Sequence, residues 1–267
     1  MPEIEAPAKG TRPEGARTEG DASLKVRQMF TQIAPRYDLL NHLLSLQLDR
    51  LWRARVARRL RAILDRPDAL VLDLCCGTGD LALSLSRGSR ARVIGIDFSH
   101  AMLVRALVKS QLVPTHSGLP SPEPLPLFEA DALRLPFAED SFDLVTTAFG
   151  FRNLANYAAG LVEIHRVLKP GGTLAILEFT EPPDNFLGNL YRWYFWRVLP
   201  RIGGLLSGER LAYSYLPASV SRFLRPVELA SLMRSAGFES IECRFWTLAT
   251  VALHTGVRGV RSASDTR

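Results

Sequence analysis

Ala69-Leu-Val-Leu-Asp-Leu-Cys-Cys-Gly-Thr-Gly-Asp80 carries a strand, a glycine turn and the start of a helix in twelve residues. Ala69–Leu74 is a short apolar run rich in strand formers, with Pro67 on one side and a glycine turn on the other. Leu81–Arg87 then reads as a helix. A strand that passes through glycines into a helix lets a ligand approach the backbone closely, because glycine accepts positive φ and carries no side chain. Gly77-x-Gly79-x-x-Ala82 also satisfies the dinucleotide-binding pattern, which is a weak signal by itself.

Downstream the alternation continues. Arg92–Phe98 reads as a second buried strand, and Ser99–Lys109 as a helix with Ser99 as its N-cap. Pro114–Pro126 holds five prolines and reads as a loop. Leu127–Ala130 and Phe142–Ala148 are the third and fourth strands. Tyr157–Leu168 is a helix stopped by Pro170-Gly171-Gly172, and Thr173–Phe179 is the fifth strand. Strands alternating with helices predict a parallel sheet covered on both faces. A helical insertion over Asn185–Ala218 and a helix over Pro226–Gly237 follow. Glu239–Phe245 and Leu248–His254 are separated by Trp246-Thr247 alone, too short a link for a crossover helix, so they predict an antiparallel hairpin. The expected class is α/β, doubly wound, with a mainly parallel seven-stranded sheet ending in that hairpin.

Upstream, residues 23–66 read as helical. Leu44, Leu48, Leu51, Trp52, Leu60, Ile63 and Leu64 recur at helical spacing, with Arg50, Arg53, Arg58 and Arg61 on the opposite face. Residues 1–22 and 259–267 lack periodicity and read as tails without order, leaving one domain over residues 23–258.

The chain has 267 residues, 47% apolar and 22% charged, the balance of a soluble globular protein with a substantial core. The net charge of +6, carried by 29 arginines and four lysines, favours phosphate, nucleic acid or lipid head groups as partners; an arginine-rich genome explains it equally well. No RNA-binding module is recognisable, and no nucleic-acid partner is expected. Two of the three cysteines, Cys75, Cys76 and Cys243, are adjacent, which excludes a disulfide framework; no spacing suits zinc, and no metal is expected. Phe245–Val257, a charge-free run of 13 residues, falls short of the ~18 of a membrane span. The first 22 residues lack the apolar core of a secretory leader. A cytoplasmic location is the expectation.

Acids stand at three successive strand ends. Asp73 precedes the glycine turn, Asp97 ends the second strand, and Asp131-Ala132 follows the third. A carboxylate at Asp73 would repel a pyrophosphate and attract a cation. Asp97 is placed to take both hydroxyls of a ribose, and Asp131 to bond an adenine amino group. Singly, each acid is equally well a helix cap or a loop residue. In this order they suit an adenosyl group on a sulfonium. The pattern resembles the doubly wound S-adenosylmethionine-dependent methyltransferases, with Phe142-Asp143-Leu144-Val145 and Leu168-Lys169-Pro170-Gly171-Gly172 standing where those enzymes place their fourth strand and the turn before the fifth.

Further stretches narrow the resemblance. They are Tyr37-Asp38-Leu-Leu-Asn41-His42-Leu-Leu-Ser45 leading to Arg50-Leu-Trp52, Phe149-Gly150-Phe151-Arg152-Asn153, Arg166 through Thr180, and Tyr213-Ser-Tyr215-Leu-Pro-Ala-Ser219. Over about residues 26–256 the chain resembles the ubiquinone/menaquinone biosynthesis C-methyltransferases. The resemblance implies S-adenosylmethionine as cofactor, with Thr78, Asp97, Asp131 and Ala132 as contacts. Asp73 and Gly77 join them on the physical argument, with Gly79, Phe98 and Ala148 alongside. Asp49 stands where the family usually has histidine, Thr180 where it often has serine, and Ala148 where many members have a serine thought to touch the cofactor, a loss of one hydroxyl contact.

The implied reaction is methylation of a ring carbon on a reduced, prenylated quinone, most directly demethylmenaquinol, with a polyprenyl benzoquinol as a second acceptor. An aromatic carbon is a poor nucleophile until a hydroxyl is deprotonated, so the site must position the ring, remove a proton and exclude water. Arg152 and Asn153 follow the fourth strand at the open end of the sheet. A guanidinium is no base in its own right. Arg152 is therefore expected to stabilise a phenolate or hold a water that takes the proton, and Asn153 to bond a quinol oxygen. Tyr37, Asp38 and Asn41 are expected on the acceptor side. Cys75 and Cys76 are expected to pack under the ligand without acting as nucleophiles, and none of the five histidines is taken as a base.

In Phe186–Leu206 aromatics interleave with Arg192, Arg197 and Arg201, which suits a membrane surface or a lid over an oily tail. A core cap or a homodimer contact fits the same composition, and a biosynthetic complex is a further partner. Three alternatives stand beside this reading. One is another small aromatic or lipid acceptor. Another is a cofactor-binding scaffold. The third, a nicotinamide oxidoreductase, is disfavoured by Asp73 and the hairpin.

Overall fold

The computed structural model describes residues 10–45, 47–112, 124–182, 184, 186–194, 197 and 210–260. Its seven strands are β1 (Leu70–Leu74), β2 (Arg92–Asp97), β3 (Leu127–Glu129), β4 (Phe142–Ala148), β5 (Leu168–Phe179), β6 (Phe238–Trp246) and β7 (Val251–Arg258). They form one sheet in the order β3-β2-β1-β4-β5-β7-β6. β1 to β5 pair in parallel, and β7 runs antiparallel to β5 and to β6. The order reverses between β1 and β4, so the ligand crevice opens beyond the carboxyl ends of those two strands.

Alternation sorts the strand residues into two cores. Leu72, Leu74, Ile94, Ile96, Val145, Leu174 and Ile176 pack on one face with Tyr157, Leu161 and Ile164 of α7 (Tyr157–Val167). Val71, Val93, Leu144, Ala175 and Leu177 pack on the other with Trp52 and Val56 of α3 (Leu48–Arg59) and Leu81, Ala82 and Leu85 of α5 (Asp80–Ser86). Asp73 has the parity of Val71, and Asp97 that of Val93. Both acids therefore point to the α3–α5 face.

Several elements differ from the sequence reading. The helical stretch 23–66 is four helices: α1 (Glu19–Ile33), α2 (Tyr37–Leu44), α3 and α4 (Arg61–Leu64). Pro35 in a 3-10 turn separates the first two, and Gln47 at φ 65 caps the third. Residues 10–22 do not form an unstructured tail. Thr18 caps α1 with a capping box, and Ala22 is buried; residues 1–9 and 261–267 lie outside the described residues. Ser99 holds the N-cap position of α6 (His100–Gln111), but its hydroxyl meets Thr31 Oγ1 at 3.1 Å in place of a capping bond.

α7 ends at Val167, and Lys169–Gly172 belong to β5 as a bulge: Phe142 pairs with Leu168, while Leu144 pairs with Thr173. Lys169 then donates to Asp143 at 2.7 Å. The hairpin link is Thr247–Thr250, not Trp246-Thr247, and β7 begins at Val251. A two-residue hairpin turn favours Gly or Asn; here Thr247, Leu248 and Ala249 adopt positive φ instead. Of the insertion, α8 (Phe186–Trp193) and α9 (Arg210–Ser221) are described, as is α10 (Pro226–Ser235); residues 198–209 lie outside the described residues, as do 113–123 of the proline-rich loop. No helix among the described residues is long and apolar enough to cross a membrane.

Candidate active site

The turn after β1 is held in a shape few residue types accept. Cys75, Gly77 and Gly79 have φ of 54°, 55° and 82°. Cys76 N–H donates to Ile96 O at 2.9 Å, tying the turn to β2. Asp97 at the end of β2 accepts from Gly77 N–H and from Ser99 N–H, each at 2.9 Å. Burial nevertheless pushes its carboxyl up to about 6, the two amides opposing the shift.

Asp73 and Thr146 are register partners on adjacent strands, and Thr146 Oγ1 donates to Asp73 Oδ1 at 2.9 Å. Asp73 Oδ2 is buried with no hydrogen-bond partner among the described residues. Burial pushes this carboxyl up to about 7. An unpaired buried carboxylate oxygen is costly, and a cationic ligand group with N–H donors would relieve it.

These residues floor a cavity that is open to solvent at its mouth. Asp73, Gly77, Thr78, Asp97, Phe98, Asp131 and Ala132 line one end. Phe30, Tyr37 and Arg53 come from the N-terminal helices, Ala148 from the end of β4, and Phe149, Asn153, Leu154 and Ala155 from the chain after it. Cys75 and Cys76 line it too, and burial raises both thiols well above their ordinary value, which keeps them protonated.

The remaining sequence candidates stand behind this wall. Gly79 is the α5 N-cap, where a Cβ would stand 3.1 Å from Ala106 Cβ. Asp38 accepts from Thr78 Oγ1 and pairs with Lys109 at 2.8 Å, while Lys109 also donates to Thr78 Oγ1 and Asp80. Asn41 bonds the Tyr37 side chain, whose phenol burial raises. Arg152 is 5% exposed. Its Nη1 lies 3.1 Å from Glu178 Oε2 and donates to Phe149 O, and its Nε donates to Ser219 Oγ at 3.3 Å.

Sequence reasoning missed Arg53, Asp80 and Glu178. Arg53 reads as one of four arginines on a polar face; instead it is buried, bonds Asp49, and lies 3.4 Å from Asp80. The i, i+4 spacing of Asp49 and Arg53 was the available signal. His42 Nδ1 and Ser45 Oγ each meet Asp49 at 2.7 Å. Burial alone would raise the Asp49 carboxyl, but Ser45, Arg53 and His42 together hold it below its ordinary value. His42, Asp49 and Asp80 offer ligand atoms within 4.8 Å of one another, and the cation standing among them is the Arg53 guanidinium.

The sheet order, the glycine turn and the strand-end acids define a class I methyltransferase fold. Solved structures agree on the fold. The chain is similar to a [4+2]-cyclase, SpnF (TM-score 0.64, 19% identity, 94% of this chain and 99% of that one), and to a Thermotoga maritima S-adenosylmethionine-dependent methyltransferase described as a possible histamine N-methyltransferase (TM-score 0.59, 19% identity, 86% and 99%). Residues 18–258 match the ubiE/COQ5 methyltransferase family, and the chain belongs to that family.

Relatives include the demethylmenaquinone methyltransferases of Thermus thermophilus (48% identical, 86% of this chain, 100% of the relative) and Deinococcus radiodurans (46%, 82% and 87%). Another is the ubiquinone/menaquinone biosynthesis C-methyltransferase of Geobacter sulfurreducens (41%, 89% and 90%). The fold class implies S-adenosylmethionine, and the residues present fit it: the unpaired Asp73 Oδ2 awaits a cation, and the glycine turn leaves its backbone open.

Proposed function

We propose that this protein transfers a methyl group from S-adenosylmethionine to a ring carbon of demethylmenaquinol, with a polyprenyl benzoquinol as a second acceptor. The observation that carries the reading is one cavity that joins strand-end carboxylates, with Asp73 Oδ2 unpaired, to an aromatic wall of Phe30, Tyr37 and Phe149. Asp73, Gly77, Thr78, Asp97, Phe98, Asp131, Ala132 and Ala148 would hold the cofactor. Arg53, the cation lining the cavity among the described residues, suits its carboxylate. When bound, the cofactor supplies an electrophilic methyl.

The chain's own residues do the rest. The aromatic wall orients a planar ring and excludes water. Asn153 offers an amide to a quinol oxygen, and Tyr37 a phenol. Arg152 acts as a positioning residue: paired with Glu178 and bonded to Phe149 O, it fixes the turn that presents Phe149 and Asn153. Phe186 and Trp193, seven residues apart on α8, are 80% and 58% exposed beside Arg192. They support peripheral contact with the cytoplasmic membrane surface, where a prenylated acceptor resides.

Labelled S-adenosylmethionine offered with demethylmenaquinol or a demethylated benzoquinol, under reducing conditions in detergent, tests the reading. Label on a ring carbon is the expected result. Cofactor binding without transfer to either quinol would overturn the acceptor.

A further inference from the structure

The family match begins at residue 18, yet residues 10–12 reach the wall of the cavity. Thr11 N–H donates to Leu154 O at 2.8 Å, and Arg12 Nη1 donates to Ala155 O at 2.8 Å. Leu154 and Ala155 both line the cavity. Gly10 passes so close that a Cβ there would stand 1.9 Å from Ala155 O. Arg222 Nη1 donates to Arg12 O at 3.1 Å, tying the same segment to the chain just after α9.

Thr11 also contacts Tyr215 of α9: its Oγ1 lies 2.9 Å from the Tyr215 hydroxyl, which donates to Asn153 Oδ1 at 2.9 Å. A phenol has one proton, and this one goes to Asn153, so Thr11 must donate to Tyr215. Asn153 then has one lone pair of its carbonyl oxygen engaged and one amide N–H on Phe149 O at 3.4 Å. The donor it offers a ligand is its second N–H. One turn further along α9, Ser219 accepts from Arg152 Nε. Positions 215 and 219 thus hold the neighbouring residues 153 and 152 from one helix face.

We infer that Gly10–Arg12 is an accessory strap of the acceptor site, and that the relay Thr11 to Tyr215 to Asn153 sets the Asn153 amide so that it donates to the acceptor's oxygen. Tyr215 and Thr11 are positioning residues; neither lines the cavity. The inference rests on the acceptor reading above. Chained hydroxyls polarise one another, so removing either link weakens the other.

The test compares wild type with Thr11→Val, Tyr215→Phe, their double variant, and Gly10→Val, which unseats the strap without removing a polar group. The readouts are KM for demethylmenaquinol, kcat, S-adenosylhomocysteine affinity and Tm. Each single variant should raise the quinol KM about fivefold, the worth of one hydrogen bond, with cofactor affinity and kcat within twofold of wild type. The double variant should match Tyr215→Phe alone. Unchanged KM in Tyr215→Phe, additive effects in the double variant, or a parallel loss of cofactor affinity and Tm would overturn the relay. No methyl transfer by the wild type would overturn the acceptor reading and the inference with it.

Discussion

The proposed cofactor end of the cavity is made by residues at or next to strand ends: Asp73 with β1, Asp97 with β2, Asp131 just beyond β3. The proposed acceptor end draws Tyr37 from α2 and Phe149 and Asn153 from the chain after β4, with Tyr215 of α9 behind Asn153. Parallel register alone brings Asp73 against Thr146 and leaves one carboxylate oxygen unpaired. No register brings Arg152 to Glu178 and Ser219; that contact needs β5, the turn after β4 and α9 to be packed together. The first end is fixed by the sheet. The second is fixed by whatever the insertion and N-terminal helices do.

The largest test of this contrast is Arg152→Ala. It strands the Glu178 carboxylate, which is 1% exposed, and should cost about 3–5 kcal/mol in denaturant unfolding. Turnover should fall well over tenfold, with S-adenosylhomocysteine affinity little changed in the remaining folded protein. Arg152→Met combined with Glu178→Leu should recover most of the stability without the turnover.

Asp73→Asn strikes the other end. Calorimetry should show S-adenosylmethionine affinity lower by about hundredfold, the scale for removing one partner of a buried charge pair. The Tm of the unliganded protein should rise at pH 8, because a buried charge is gone. A fall in both would mean that Asp73 is structural.

Acidity separates the ends next. Asp73 and Asp97 have native values of about 7 and 6, above the 3.8 of an unperturbed carboxyl. The native state therefore binds more protons than the unfolded one between about pH 4 and 7. Unliganded stability should fall as pH rises through that window, and cofactor affinity should rise over the same range, by about tenfold per unit below the Asp73 value. Quinol KM should follow neither trend.

The smallest effect is expected from Thr146→Val, which removes the side-chain hydrogen bond donated to Asp73 Oδ1. Cofactor affinity should drop about fivefold and the Asp73 titration should move further up. An unchanged affinity would detach Asp73 from the cofactor.

Strand alternation, glycine turns and Pro boundaries act over a few residues, so the sheet, its hairpin and the row of strand-end acids are legible locally in the chain. Asp73, Asp97 and Asp131 were found that way. Which arginine faces the cavity is settled by packing: Arg53 lines it, while Arg152 is turned behind the wall onto Glu178. Only packing ordered residues 10–22, lengthened the hairpin link and seated Thr11 on Tyr215. The reason is physical. A buried guanidinium goes where carboxylates and carbonyls converge; Asp49 four residues before Arg53 is a local hint, but Asp80, Glu178 and Ser219 reach the two arginines from segments that only packing brings near.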